Sequence, residues 1–74
     1  MKITVQVAYL VDQDDPAIEL WVDDEMMAEV ESKNNKLALI VYPQKNKKPW
    51  HVPLDEMTNA LVEAQSKAVL ILAK

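Results

Sequence analysis

Apolar and polar residues alternate through the first part of the chain. Every second position from residue 3 carries an apolar side chain, namely Ile3, Val5, Val7, Tyr9 and Val11. A two-residue period is typical of a β-strand with one side in a core. Residues 12–16 have the aspartate and proline content of a turn, and residues 17–22 alternate again. We therefore expect a β-hairpin that pairs residues 3–11 with residues 17–22.

Residues 24–33 allow two interpretations. Met26, Met27 and Val30 have the spacing of a short helix with an aspartate cap at its start. Met26, Ala28 and Val30 instead take every second position, as they would in a strand. We predict the helix for this segment.

The middle of the chain combines an apolar segment with a polar loop. Residues 37–42 are apolar on both sides, which is typical of a central strand. Residues 43–49 form a lysine-rich loop, and residues 50–52 stand between Pro49 and Pro53. Because proline fixes its φ angle and lacks a donor N–H, we expect residues 50–52 to be an extended edge segment or a polyproline-like segment.

A helix is predicted over residues 54–66, with acidic residues in its first turn and one apolar stripe. The stripe consists of Met57, Leu61, Ala64 and Ala68. Residues 68–73 are apolar all round and suit either the tail of this helix or a buried strand; we predict the strand. The expected fold is a single α+β domain over residues 1–74, in two layers. Its order is β-β-α-β-β-α-β, with an antiparallel-leaning sheet covered on one face by a helix.

Composition excludes several classes of functional site. The 74 residues include no cysteine and no glycine, and all eight basic residues are lysine. Without cysteine there is no disulfide or thiolate metal site, and without glycine there is no phosphate-binding or dinucleotide-binding loop. Lysine cannot make the bidentate contacts that arginine makes with phosphate or guanine. Together with the net charge of −4, this disfavours nucleic-acid binding.

The sequence also indicates a cytoplasmic protein. Its N-terminus lacks the uninterrupted apolar region of a signal peptide. The longest apolar runs, residues 37–42 and 68–73, are each six residues long. Spanning a bilayer takes about 20 residues. We therefore expect no contact with a membrane.

Charge is sorted along the chain. Residues 1–31 carry nine acidic residues and one lysine, a net charge of −8, whereas residues 32–48 carry five lysines and no acidic residue. Separated potentials of this kind steer the approach of an oppositely charged partner. We therefore expect the N-terminal half to meet a basic surface on a partner protein. The alternative interpretation is that the acidic residues only keep a small apolar domain soluble.

No pattern in the chain predicts catalysis, a cofactor or a metal site. Residues 12–15 share the closely spaced aspartates that open a calcium loop, but Pro16 stands where such a loop approaches its glycine turn. His51 is the only histidine, and no spacing brings carboxylates to it. The hydroxyl residues lie in no nucleophile motif. We expect a protein without enzymatic activity.

Two tryptophans are candidate anchors of a binding surface. Trp21 and Trp50 fall outside the predicted apolar rows, and tryptophan supplies large, rigid contact area at interfaces. Ordinary packing against the helix or the sheet is the alternative. With the acidic residues, they make up the predicted partner-binding residues: Asp12, Asp14, Asp15, Glu19, Trp21, Asp23, Asp24, Glu25 and Trp50.

In size, acidity and lack of catalytic groups, the chain resembles in general character the small accessory and inhibitor proteins encoded by bacteriophages and mobile elements. No motif carries this resemblance, and it assigns no site residue. The sequence predicts a small acidic protein-binding module, such as an inhibitor or adaptor. The alternative is a self-associating protein in which Trp50 and the apolar strands complete a homodimer. A single-stranded nucleic-acid site at Lys45, Lys47 and Lys48 is disfavoured by the net acidity.

Overall fold

Four β-strands and one helix make up the part of the chain that the computed structural model describes, residues 2–9, 16–34 and 36–72. They are β1 (Ile3–Ala8), β2 (Ala17–Val22), β3 (Glu25–Lys33), β4 (Lys36–Val41) and α1 (Leu54–Ile71). Each strand pairs antiparallel with the next, in the order β1-β2-β3-β4, and α1 packs on one face of the sheet. Within these ranges no helix is long and apolar enough to cross a membrane. The predicted α+β architecture, a sheet covered on one face by a helix, is confirmed.

The first hairpin follows the predicted pairing. β1 and β2 are in register from Ile3 opposite Val22 to Ala8 opposite Ala17. Residues 10–15, which include the predicted turn, lie outside the described residues. The two-residue period in each strand puts one set of side chains on the helix side of the sheet, by which we mean the face that α1 covers.

The core lies between α1 and the helix side of the sheet. Ile18 and Leu20, in the middle of β2, are both 0% exposed. The buried residues of α1 are Ala60, Ala64 and Ala68. Because they lie four residues apart, they form one stripe, and their small side chains let the helix approach the sheet closely. Met57 and Leu61 pack half-buried beside this stripe, so the apolar stripe predicted for the helix is confirmed.

The helix predicted over residues 24–33 is wrong, because these residues form β3. The register between β2 and β3 shifts by one residue after Leu20, which leaves Met27 as an extra residue without a partner on β2. Met27 is 1% exposed, and Val30, three residues further along, is also buried. The bulge breaks the two-residue period of the strand and produces a spacing of buried residues that resembles that of a helix.

Two further elements differ from the prediction. Residues 50–52, all within the described part, form no strand and belong to the connection from β4 to α1. The strand predicted over residues 68–73 is wrong, because α1 continues through most of this run. Ala68 and Leu72 are buried four residues apart, while Leu70 between them is 84% exposed. The run thus continues the helical stripe, and the order along the described chain is β-β-β-β-α.

The strand predicted over residues 37–42 is present as β4, but at the edge of the sheet rather than in its centre. Its apolar residues on the helix side lie beyond α1 and are partly exposed, as described below. The strand is thus apolar on both sides although it lies at the edge of the sheet, so this pattern did not identify a central strand.

Three described positions have a positive φ in a chain without glycine. Asp23, in the β2–β3 turn, and Asn34, after β3, both have a φ of 54°, and Lys47 has a φ of 64°. Aspartate and asparagine tolerate this region because their short polar side chains bond to the local backbone. Lysine has no such compensation, so Lys47 is a strained position in the connection between β4 and α1.

Candidate functional site

α1 leaves the opposite face of the sheet uncovered, and this face carries carboxylates and aromatic rings. Alternation along the strands places Glu19, Trp21, Glu29, Glu31 and Tyr42 on it, and at one end of the same face it places Lys33 opposite Lys36. We call the first five of these residues the acidic face. All five are at least partly exposed. Three carboxylates and two aromatic rings are therefore available on one open surface.

Two of these carboxylates occupy directly opposite positions. Glu19 pairs with Glu29 across β2 and β3, and Glu31 follows Glu29 on the same side of β3. Like charges at directly opposite positions repel each other. Among the described residues the only ion pair joins Lys67 to Glu63 on α1, at 2.9 Å. No described lysine therefore forms an ion pair with a carboxylate of the acidic face, although Lys33 and Lys36 lie at one end of the same side of the sheet.

Hydrogen bonds to the opposed carboxylates hold both aromatic side chains. The indole Nε1 of Trp21 donates to Glu19 Oε1 at 3.0 Å, and the hydroxyl of Tyr42 donates to Glu29 Oε1. The second oxygen of each carboxylate accepts no hydrogen bond from a described residue. Each ring is thus fixed beside a negative charge that can still accept an external donor.

The neighbouring carboxylates raise the pKa of Tyr42. The hydrogen bond to Glu29 raises the pKa of the Tyr42 hydroxyl above its ordinary value, since only the protonated phenol can donate it. Desolvation and the negative charges of Glu29 and Glu31 raise this pKa further. Tyr42 therefore stays neutral, and a donor, over the whole physiological range.

A separate, concave surface lies at the end of the sheet, between the β2–β3 turn and the connection from β4 to α1. This surface, the turn cleft, has a volume of about 430 Å³. Its lining includes Asp23, Asp24, Glu25, Lys48 and Trp50. Four residues that the sequence predicted for partner binding therefore meet at this cleft.

Internal contacts already use part of the turn cleft. The backbone N–H of Lys45 donates to Glu25 Oε2 at 2.6 Å. The side-chain amide of Gln44 donates to the carbonyl oxygens of Lys48 at 3.1 Å and Pro49 at 2.7 Å. The lysine-rich loop thus folds back beside the acidic turn. Charges that are separated along the sequence are mixed in space at this end of the molecule.

Trp50 anchors the loop to the body of the domain. Its indole Nε1 donates to the carbonyl oxygen of Tyr42 at 2.7 Å, and its half-buried ring packs against the core. The only polar atom of the side chain is therefore used internally. What remains of Trp50 for a partner is the part of the ring that lines the turn cleft.

The predicted partner-binding residues divide into three groups. Those on the acidic face are Glu19 and Trp21. Those at the turn cleft are Asp23, Asp24, Glu25 and Trp50. Those outside the described residues are Asp12, Asp14 and Asp15. The structure brings the first two groups to separate surfaces, and the part that any of these residues plays in binding stays a prediction.

Sequence reasoning missed Glu29, Glu31 and Tyr42. Once residues 25–33 are recognised as a strand, the two-residue period places Glu29 and Glu31 on one side, and antiparallel pairing with β2 brings them beside Glu19. No local signal marks Tyr42, because its position depends on the pairing of β4 with β3.

Metal ligands do not converge in residues 2–9, 16–34 and 36–72, where no group of three or more His, Asp or Glu side chains is placed to hold an ion. His51 is exposed and lies at the rim of the turn cleft.

Comparisons of the chain with protein-family models, with curated proteins and with solved structures found no significant match.

Proposed function

We propose that this chain is a non-catalytic protein-binding module, of the inhibitor or adaptor kind, whose acidic face docks on a basic surface of a partner protein. The observation that carries the proposal is the opposed pair Glu19 and Glu29, which forms no ion pair with a described lysine and holds an aromatic ring at each carboxylate. A binding role needs no reacting group, and the face offers charge and rigid contact area instead.

Electrostatics supports a basic partner. Three carboxylates on neighbouring strands repel one another in the free protein, and each lysine or arginine that approaches them removes part of this repulsion. The gain on binding is therefore larger than that of an isolated surface ion pair, whose value is typically about 0–1 kcal/mol. The same charges raise the association rate by steering the partner toward the face.

The aromatic residues support a defined contact rather than diffuse attraction. Trp21 and Tyr42 are held by hydrogen bonds to Glu19 and Glu29, so they lose little conformational freedom when a partner binds. Tryptophan and tyrosine are among the residues that carry most of the energy at interfaces. A lysine or arginine of the partner could stack on Trp21 and donate to the carboxylate beside it.

The turn cleft supports this role less directly. Glu25 already accepts a hydrogen bond from Lys45, and Lys48 brings a positive charge to the same lining. A cationic group therefore meets a carboxylate there that is already hydrogen-bonded within the domain, beside a lysine that repels it. We place the docking surface on the acidic face, with the exposed Asp23 and Asp24 adding long-range attraction.

The test is a pull-down from the native host with two charge-matched variants. Glu29→Gln with Glu31→Gln removes two charges from the acidic face, and Glu56→Gln with Glu63→Gln removes two from α1. We expect the wild type and the α1 variant to capture the same protein, identified by mass spectrometry, and the acidic-face variant to lose it. Equal capture by both variants would show that the acidic face is not the docking surface.

A further inference from the structure

α1 covers only half of the helix side of the sheet. It packs mainly on β1 and β2, and less on β3. Four strands about 4.8 Å apart make a surface roughly twice as wide as a helix of about 10 Å diameter. One helix therefore leaves room for a second one over β3 and β4.

The uncovered half is apolar. The residues of β4 that point to the helix side are Leu37, Leu39 and Val41, with exposed fractions of 37%, 47% and 60%. Between them and α1 runs a groove of about 220 Å³. Its lining includes Val30 in the floor and Leu61 on the helix. The uncovered half of the sheet is therefore wide enough, and its lining apolar enough, to bind an amphipathic helix.

α1 itself exposes two valines to solvent, in a stripe that also carries the polar residues Gln65 and Ser66. Val62 and Val69 lie seven residues apart, on one side of the helix, and are 59% and 51% exposed. The charged residues of this part of α1, Glu63 and Lys67, pair with each other on the flank away from β4. A solvent-facing helix usually carries charged residues on its outer stripe, whereas this stripe has two exposed valines that no described residue covers.

We propose that two copies of this chain pack face to face, so that α1 of each copy lies over β4 of the other. The two-fold axis runs between the two helices and parallel to them. An in-plane axis perpendicular to the helices would put both of them over the same half of the sheets, where they would clash. The result has three layers, with a sheet on each outside and the two helices side by side between them.

This arrangement satisfies both unpartnered surfaces with one contact. In a two-fold interface, each chain contributes both of the surfaces that meet. Here those two surfaces are the β4 row, which consists of Leu37, Leu39 and Val41, and the α1 stripe that contains Val62 and Val69. A rotation about an axis parallel to α1 keeps every residue at its own height along the axis. Leu61 lies beside Leu37 and Leu39 in the groove, so Leu61 and its neighbour Val62 are at the height of these two leucines. After the rotation, Val62 of the second copy therefore contacts Leu39 of the first.

Pairing of two β4 edges is a less suitable way to cover the same residues. The N–H of Tyr42 bonds to Met27 on β3, so alternation directs the backbone groups of Leu37, Leu39 and Val41 to the free edge. Joining two β4 edges would satisfy the hydrogen bonds of these backbone groups. The apolar side chains of both β4 strands would nevertheless stay exposed, because each helix covers only β1 to β3.

A dimer of standard size buries about 800 Å² per partner, roughly one seventh of the 5569 Å² surface of this chain.

The inference stands on observations separate from the proposed function. In the face-to-face dimer the acidic faces remain on the two outer surfaces, where each is free to meet a partner. The dimer contact is apolar and is therefore expected to be insensitive to salt, whereas docking at the acidic face weakens as salt is added. Failure of one therefore does not imply failure of the other.

Cross-linking between single-cysteine variants tests the geometry, since the natural chain has no cysteine. A chain carrying Val62→Cys is mixed with one carrying Leu39→Cys and treated with a short bis-maleimide. We expect a covalent heterodimer. As a matched control, Leu70→Cys replaces Val62→Cys; Leu70 lies nine residues from Leu61, on the opposite flank of the helix, and should give no product with Leu39→Cys. All three positions are exposed, so the fold tolerates the changes.

Sedimentation velocity at two concentrations completes the test. We expect a wild-type dimer and, for Val62→Lys, a dimer dissociation constant raised by about tenfold or more, because a lysine would have to be buried against Leu39. The Leu70→Lys variant should remain dimeric. A wild type that stays monomeric at the highest concentration, or a product from Leu39→Cys alone, which indicates edge pairing, would overturn the proposal. So would a monomer that takes up an added apolar helix in the groove.

Discussion

Glu19 and Glu29 face each other directly across two neighbouring antiparallel strands, and each accepts a hydrogen bond from an aromatic side chain. This pair costs stability in the isolated domain, since like charges at opposed positions repel. A cationic partner removes that cost. The relationship therefore links the register of the sheet to the proposed binding role.

The first prediction concerns the stability of this pair. Glu29→Gln should stabilise the domain by about 0.2–1 kcal/mol at low salt, because it removes the repulsion from Glu19 and keeps an oxygen that can accept the Tyr42 hydrogen bond. The matched change Glu63→Gln breaks the ion pair with Lys67 and should destabilise by about 0.3–0.5 kcal/mol. Urea denaturation measures both. If Glu29→Gln is neutral at low and high salt alike, the two carboxylates do not interact.

The second prediction concerns the titration of Tyr42. In a Tyr9→Phe background, the phenolate absorbance of Tyr42 should titrate above the ordinary value of 10.0. Adding Glu29→Gln should move this pKa down, because it removes the negative charge of the hydrogen-bond partner. A raised pKa in the folded state means stabilisation that is fully present below pH 10 and is lost as the pH rises through the raised pKa. A Tyr42 that titrates at 10.0 in both backgrounds would show that the hydrogen bond to Glu29 is absent in solution.

The third prediction uses two adjacent methionines. Met27 is 1% exposed at the bulge, whereas Met26 is only partly buried and lies on the uncovered side of the sheet. Met27→Ala should cost about 2–5 kcal/mol, because it leaves a cavity in the core. Met26→Ala should cost less than about 1 kcal/mol. Equal losses in thermal or urea denaturation would mean that Met27 is not the residue that the bulge turns inward.

The comparison of these two residues shows why part of the fold was not predictable. Periodicity predicted β1, β2, the start of α1 and the stripe of α1, because local pattern and tertiary environment agree there. At Met27 a one-residue shift between strands decides which side chain is buried, and no local rule contains that shift. The end of α1 depends in the same way on burial of Leu72, which local apolar character does not distinguish from a strand.

The candidate site was predictable only in part. Charge sorting directed attention to the N-terminal half, and tryptophan chemistry added Trp21; of the residues predicted for binding, Glu19 and Trp21 lie together on one surface. It did not distinguish that surface from the turn cleft, because strand register decides which acidic residues share a face. Tyr42 completes the acidic face through pairing with β3, which is a long-range contact.

The fourth prediction concerns the strained position in the loop. Lys47→Gly should stabilise the domain by about 0.5–1 kcal/mol, because glycine adopts a positive φ without steric cost. The neighbouring change Lys48→Gly carries the same loss of charge and the same added freedom in the unfolded chain, and it should destabilise slightly. Urea denaturation again reports both values. If the two variants were destabilised equally, Lys47 would not have a positive φ in solution.

The most direct test of the acidic face is the pair of rate constants for binding to the partner captured by pull-down, measured at low salt by surface plasmon resonance. Glu29→Gln with Glu31→Gln should mainly lower the association rate, and the charge-matched change on α1, Glu56→Gln with Glu63→Gln, should leave it near that of the wild type. Trp21→Ala should mainly raise the dissociation rate, by about tenfold or more, because a buried aromatic anchor holds the complex. Raising the salt should slow association of the wild type and reduce the difference between the two charge variants. Wild-type rate constants for both the acidic-face variant and Trp21→Ala would contradict the account.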